Sequence, residues 1–219
     1  MSKLKGIDDG FRGKIGDYSV YKLNGYIVKR RVGVRTKPFS EKQLTYQQIT
    51  VLVNSLLKKV KDFIDIGYVT EAAKVKLYPY NTASSYNRQH AIAGVYPAQY
   101  IDFTKVLFSK GDMPLTENVN VRLTADGLEF TWNPDIAVPG LQASDQVMLM
   151  AYFPEKKYGV YVANGVRRPK GIEQLELPLS RKPVVVETYL AFISVNHKSV
   201  SNSIYTGQLI WNPLNKVNS

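Results

Sequence analysis

The sequence predicts a mainly β protein in two parts: an α+β module with a hairpin and a long helix over residues 1–111, then a β-sandwich over residues 112–219. Three observations predict it. Asn24-Gly25 and Asp126-Gly127 each lie between short β-prone runs, the pattern of a two-residue hairpin turn. Ile49, Val53, Leu56, Leu57, Val60, Phe63 and Ile64 recur at helical spacing. Charge divides the chain at the same place, because Met1–Gly111 carries 19 Lys+Arg against 8 Asp+Glu and Asp112–Ser219 carries 10 against 10.

The first element in order is a glycine-rich stretch with Gly6, Gly10, Gly13 and Gly16. A phosphate-cradling loop would follow an apolar strand and open an amphipathic helix, and this stretch does neither. It is expected to be an arm that lies extended or packs closely on another backbone. Tyr18–Arg31 then forms a hairpin about Asn24-Gly25, which pairs Leu23 with Tyr26, Tyr21 with Val28 and Val20 with Lys29. One face then carries Tyr21, Leu23, Tyr26 and Val28, and the other Val20, Lys22, Ile27, Lys29 and Arg31. Arg35 and Lys37 extend the parity of that basic face.

Ser40-Glu-Lys-Gln43 has the spacing of a capping box, so a helix is expected from Ser40. It should run about seven turns to the stop at Gly67 and pack its apolar stripe on the hairpin. Lys58, Lys59 and Lys61 lie near its C-terminal end, where the helix dipole favours cations, and are expected to form a solvated face. A short helix over 82–93 follows an Asn81 cap, and the run Tyr100–Leu107 is expected to be extended.

From Leu115 the chain changes to short alternating runs. Strands are expected over 118–123, 128–132, 147–153, 158–163, 184–194 and 203–211, with a further strand marked by Leu175, Leu177 and Leu179. About seven strands in roughly 100 residues favour two sheets that cover each other. With Trp132 on its second strand, Tyr152 on its third, the alternating leucines and Tyr189 on its penultimate strand, this half resembles a fibronectin type III or immunoglobulin-like domain. An immunoglobulin-like β-sandwich is a fold and implies no function.

The whole chain resembles a bacterial domain-of-unknown-function family, number 6266. The likeness rests on Gly13-Lys-Ile-Gly16, the basic hairpin, the Gln-containing helix start, and the phrase from Lys61-Asp-Phe onward. It rests also on Asn81-Thr-Ala-Ser-Ser-Tyr-Asn87 and Val200-Ser-Asn-Ser-Ile-Tyr205. This resemblance implies no activity and no site residues. The N-terminal pattern is also similar to that of some small prophage-encoded proteins, which implies a particle or assembly role.

Chemistry is sparsely marked. There is no cysteine, and therefore no disulfide framework and no cysteine-rich zinc site. His90 and His197 are the only imidazoles, one in each half, and are expected at the surface or in ordinary hydrogen bonds. Asp8-Asp9 and Asp62 with Asp65 are the carboxylate pairs, and the second has lysines beside it, the composition of an ion-pair surface. No serine-hydrolase elbow, phosphate loop or zinc-protease helix motif is present. The chain is thus expected not to be an enzyme, to hold no metal and no cofactor, and to have no small-molecule substrate.

No apolar run reaches the ~18 residues of a membrane span, and the N-terminus has no secretory signal. A cytoplasmic protein or one built into a particle is expected, with a surface location left open if the chain is processed. The expected role is that of a non-catalytic structural or interaction protein, whose partner is a second copy of itself or another protein subunit. The alternative is nucleic-acid binding by the basic hairpin. Either partner would be met by Lys22, Lys29, Arg31, Arg35 and Lys37, with tyrosines as stacking faces.

Overall fold

The structure, a computed structural model, describes residues 12–34 and 36–212. Two compact units are present, residues 1–40 and residues 41–219. The first is a three-stranded antiparallel sheet of β1 (Gly13–Ile15), β2 (Tyr18–Leu23) and β3 (Tyr26–Arg31) in that order. Its β2–β3 register is the expected one, with Leu23 opposite Tyr26, Tyr21 opposite Val28 and Val20 opposite Lys29. Asn24 and Gly25 have φ of 48° and 84°, the two left-handed residues that a type I′ turn requires.

The second unit begins with helices α1 (Glu41–Leu57), α2 (Lys61–Gly67), α3 (Val69–Val75) and α4 (Pro79–His90). The helix expected over 40–67 is therefore interrupted, by a 3₁₀ turn at Lys58–Val60. Gly67 does end the apolar stripe, and its lack of a side chain has a second use. A Cβ there would lie 2.7 Å from the Phe108 carbonyl oxygen and 2.8 Å from the Ser109 Cβ, so only glycine lets the two segments approach. The helix expected over 82–93 is α4, which starts at Pro79, since proline supplies a favourable first helical residue, and ends at His90. Between it and the sandwich come a two-residue ladder of β4 (Ile92–Ala93) with β5 (Tyr100–Ile101), then a 3₁₀ turn at Phe103–Lys105. The extended run expected over 100–107 is thus strand at its start only.

The remaining strands are β6 (Asn120–Leu123), β7 (Gly127–Thr131), β8 (Gln146–Phe153), β9 (Tyr158–Val162), β10 (Ile172–Glu176), β11 (Val184–Ile193) and β12 (Ile204–Trp211). They form two antiparallel sheets, ordered β10-β7-β6 and β12-β11-β8-β9. More of the described chain is strand than helix, and the mainly β class with open, sandwich-like sheets is observed. One core lies between the sheets, where Leu128, Phe130, Trp132, Leu149, Phe153, Leu175, Leu177 and Phe192 meet. Leu179, expected to continue the leucine alternation, lies beyond the end of β10 and is 83% exposed.

A second core lies on the other face of β8 and β11. Val53, Leu56, Leu57, Val60, Phe63 and Ile64 of the helical stripe pack there with Met148, Met150, Tyr152, Tyr189 and Ala191. The stripe therefore covers the larger sheet of the sandwich, where packing on the hairpin was expected. Tyr152 and Tyr189, the expected sandwich tyrosines, likewise face the helices. The reason is that the central strands of the larger sheet, β8 and β11, are buried on both faces, so β8 reads Gln-Val-Met-Leu-Met-Ala-Tyr-Phe with no polar alternation. Helices, larger sheet and smaller sheet make three layers, and the compact unit runs across the division expected at residues 111 and 112.

Residues 106–113 are held between α4 and the β11–β12 connection by side-chain-to-backbone hydrogen bonds together with backbone bonds from the Met113 amide to the Val200 carbonyl and from the Ser203 amide to the Ser109 carbonyl. Asn87 accepts from the Leu107 amide at 3.0 Å and donates to the carbonyls of Leu107 and Ala83 at 2.9 and 3.0 Å. The Ser203 hydroxyl accepts from the Phe108 amide, Ser109 donates to the Ser201 carbonyl, and Asn202 accepts from the Gly111 amide. The two phrases 81–87 and 200–205 that carry the family likeness thus grip one segment from both sides.

Beside that segment, Glu71 accepts from Lys110 at 2.6 Å and from Lys74 at 3.1 Å. The Lys110 bond, and then Lys74, hold the Glu71 carboxyl below its ordinary value against the opposing effect of burial. A lowered folded-state pKa contributes stability above the unfolded carboxylate range and loses it as pH falls through the folded value. Replacing Lys110 with Met should therefore flatten the loss of stability on acidification below about pH 4.5, measured by urea unfolding across a pH series.

Candidate anionic-partner interface

The expected basic face is built by strand parity in the first unit. Lys22 on β2 lies opposite Ile27, Lys29 on β3 opposite Val20, and Arg31 opposite Tyr18, so Lys22, Lys29 and Arg31 share one face. The Lys29 Nζ stands 4.2 Å from the centre of the Tyr18 ring, a cation–π pair of about 0.5–1 kcal/mol at an exposed site. Lys37 lies in the exposed, non-strand segment between β3 and α1. Because β3 ends at Arg31, strand parity does not carry Lys37 onto this face as expected. Arg35 lies outside the described residues, as do Gly6, Gly10 and the Asp8-Asp9 pair.

Strand β1 adds one cation, Lys14, and with Arg30 of β3 it makes a second basic row that sequence reasoning missed. Lys14 pairs with Ser19, and Ser19 with Arg30, so Lys14, Ser19 and Arg30 form a row across the opposite face beside Tyr21 and Val28. Positive charge therefore borders both faces of the sheet. Gly16-Asp17 between Ile15 and Tyr18 was the available signal, since a glycine-led pair between β-prone residues is a hairpin connection. Residues 1–40 contain ten Lys+Arg against three Asp+Glu, leaving nineteen against fifteen in residues 41–219. Most of the net charge thus belongs to the smaller unit.

Large apolar side chains accompany those cations. Leu23 is 52% exposed on one face and Ile15 and Ile27 are 47% and 43% exposed on the other, with Tyr18 and Tyr21 also exposed.

The other expected chemistry is dispersed. His90, at the end of α4, is exposed and packs its ring on Tyr86 at 4.4 Å, and His197 is exposed in the β11–β12 connection. Asp65 pairs with Lys61 rather than with Asp62. Among the described residues no three His, Cys, Asp or Glu side chains come together in a way that would hold a metal ion. No described helix is long and apolar enough to cross a membrane. Glu187, a buried carboxylate, accepts from the Tyr205 hydroxyl and the Gln208 amide, each at 2.7 Å. Burial first, and then this bond to Glu187, push the Tyr205 hydroxyl well above its ordinary pKa, so it stays a donor.

Arg168 is the least expected residue of the second unit. It opens a 3₁₀ turn between β9 and β10 and is 0% exposed, its guanidinium carbon 3.7 Å from the centre of the Phe192 ring. Its Nε lies 3.6 Å from the Asp145 carboxylate, which is 1% exposed in side chain. Burial pushes the guanidinium pKa down, and Asp145 opposes that shift. The pair closes one end of the sandwich core, where the Trp132 indole donates to the Arg168 carbonyl at 2.8 Å.

A helix-backed β-sandwich with a separate, strongly basic three-stranded sheet is the class of protein these features define. Residues 10–207 match the model described as "Family of unknown function (DUF6266)", and the chain belongs to that family, the one its N-terminal, 81–87 and 200–205 phrases resemble. No curated protein and no solved structure matches.

Proposed function

We propose that this chain is a non-catalytic interaction protein, a subunit of a larger assembly such as a particle, whose three-stranded sheet is the docking element. The observation that carries this reading is the exposure of Ile15, Leu23 and Ile27 on the two faces of that sheet, bordered by cations. A three-stranded sheet gains independent stability by burying an apolar face, and an apolar surface rimmed by charge is the usual composition of an interface. The helix-backed sandwich is the scaffold. Electron microscopy of native, low-salt material with the 260/280 nm absorbance ratio tests the proposal. Particles or polymers free of nucleic acid are expected, and replacing Tyr21 and Leu23 with Ser should disperse them. A monomer that persists to high concentration would overturn it.

A second reading, nucleic-acid binding, is favoured by the Lys29–Tyr18 pair within the cation row. It requires affinity that falls steeply with salt. Changing Lys29 and Arg31 to Glu should then weaken binding to single and double strands and reduce the salt slope by about two. Binding indifferent to salt, or absent, removes this reading.

A further inference from the structure

We propose that the outer edge of β3 takes up an extended acidic segment of a partner protein as a fourth strand of the small sheet. This rests on the interaction reading above and names the partner's chemistry. Hairpin geometry decides which backbone groups are offered. Across a two-residue turn the flanking residues exchange hydrogen bonds, so Leu23 with Tyr26, Tyr21 with Val28 and Ser19 with Arg30 are the bonded pairs. The Val32 amide donates to the Asp17 carbonyl at 2.6 Å, in step with that alternation. The N–H and C=O groups of Ile27, Lys29 and Arg31 therefore point away from β2. Among the described residues no strand lies on that side, and all three residues are exposed.

Side chains decide which strand fits. Lys29 and Arg31 stand on one face of the edge and Arg30 on the other, so an added strand meets cations on both faces. Carboxylates at its successive positions form cross-strand pairs, whereas an apolar strand buries those charges and a basic one is repelled. A second copy of the chain brings a sheet of the same sign, with ten Lys+Arg against three Asp+Glu in residues 1–40. An acidic strand is the occupant that satisfies both the edge amides and the charge. Nucleic acid answers the charge alone.

The test titrates the full chain with a fluorescent synthetic peptide that carries Glu at three successive positions between Val and Thr residues, so that carboxylates stand on both faces, following anisotropy and backbone-amide exchange by NMR. Saturable binding should slow exchange at Ile27, Lys29 and Arg31 and leave Val28 and Arg30 as they were. Ile27→Pro removes one outward N–H while keeping every cation and the β2 ladder, and should weaken the peptide by about tenfold. A peptide N-methylated along one edge should not bind the unaltered protein, a control that does not depend on a variant's folding. Equal binding of the methylated peptide, unchanged exchange at the three amides, or no peptide binding would overturn the proposal. So would oligothymidylate binding that displaces the peptide without protecting those amides. Assembly that survives Ile27→Pro while peptide binding is lost keeps the broader reading apart from this one. Absent assembly with intact peptide binding does the converse.

Discussion

Replacing Arg168 with Ala should destabilise the protein by about 3–5 kcal/mol, because it leaves the Asp145 carboxylate buried without its cation. The expected size follows from how completely the pair is enclosed. Arg168 is 0% and Asp145 1% exposed, and the guanidinium also reaches the Met113 sulfur at 3.6 Å and lies over Phe192. Lysine is a poor substitute, since an ammonium group has neither the planar fork nor the stacking surface. The ion pair itself need not be strong: its 3.6 Å separation is long, and the Asp145 Oδ1 and the Arg168 Nε and Nη1 make no hydrogen bond. A neutral replacement of both groups, Arg168→Met with Asp145→Asn, should therefore recover most of the loss. The Asp145→Asn change keeps a side-chain oxygen to accept from the Gln142 amide, as the carboxylate does now. Urea midpoints of the parent, the two single variants and the double variant measure this. A single Arg168→Ala variant within about 1 kcal/mol of the parent would refute it.

Asn87→Ala should cost about 1–3 kcal/mol, because it leaves a buried backbone group without its partner. Asn87 is buried, and its amide group serves the Leu107 N–H, the Leu107 carbonyl and the Ala83 carbonyl together. The Tyr68 hydroxyl also donates to the Leu107 carbonyl at 3.1 Å, so that oxygen keeps one partner after the change. The Leu107 N–H keeps none, and that orphan dominates the cost. Asn87→Asp should be worse near neutral pH, because a carboxylate would face two carbonyl oxygens where the amide now donates. Ser85→Ala, an exposed change in the same helix, should stay within about 0.5 kcal/mol of the parent. If the Asn87 and Ser85 variants unfold at the same urea concentration, the anchoring role of Asn87 is refuted.

The parts of this fold legible in the sequence were those whose cause is local. Asn24-Gly25 set the hairpin register because its left-handed residues fix which side chains face each other. Asp126-Gly127 marked the place of the β6–β7 turn but not its residues, since β7 begins at Gly127, the Thr124 amide bonds to the Gly127 carbonyl, and Ala125-Asp126 stand between them without left-handed backbone. The break at Lys58–Val60 has no such marker. The apolar stripe keeps its helical spacing straight through it, and the cause lies far off in sequence: the turn packs so closely on β9 that a Cβ at Gly159 would sit 2.8 Å from the Val60 Cγ1. The burial of β8 and β11 on both faces was written in the apolar run Val147–Phe153 of β8 and in Tyr189–Ile193 of β11, yet nothing local said which element covers the second face. Arg168 was hidden by its neighbours, since Arg167-Arg168-Pro169-Lys170 has the composition of a solvated turn. In the candidate interface, parity placed Lys22, Lys29 and Arg31 correctly, and it failed for Lys37 where the strand ends.

The clasp on residues 106–113 also sets an order of events while the chain is made. Phe108 is anchored by Ser203, 95 positions later, and Ser109 by Ser201, 92 positions later. At ordinary synthesis rates of about 5–20 residues per second, Phe108 and Ser109 leave the ribosome roughly five to twenty seconds before their anchors exist. Through most of that interval the apolar stripe from Val53 to Ile64 lacks β11, one of the two strands it packs on. The clasp on residues 106–113 is therefore among the last contacts that the growing chain can complete.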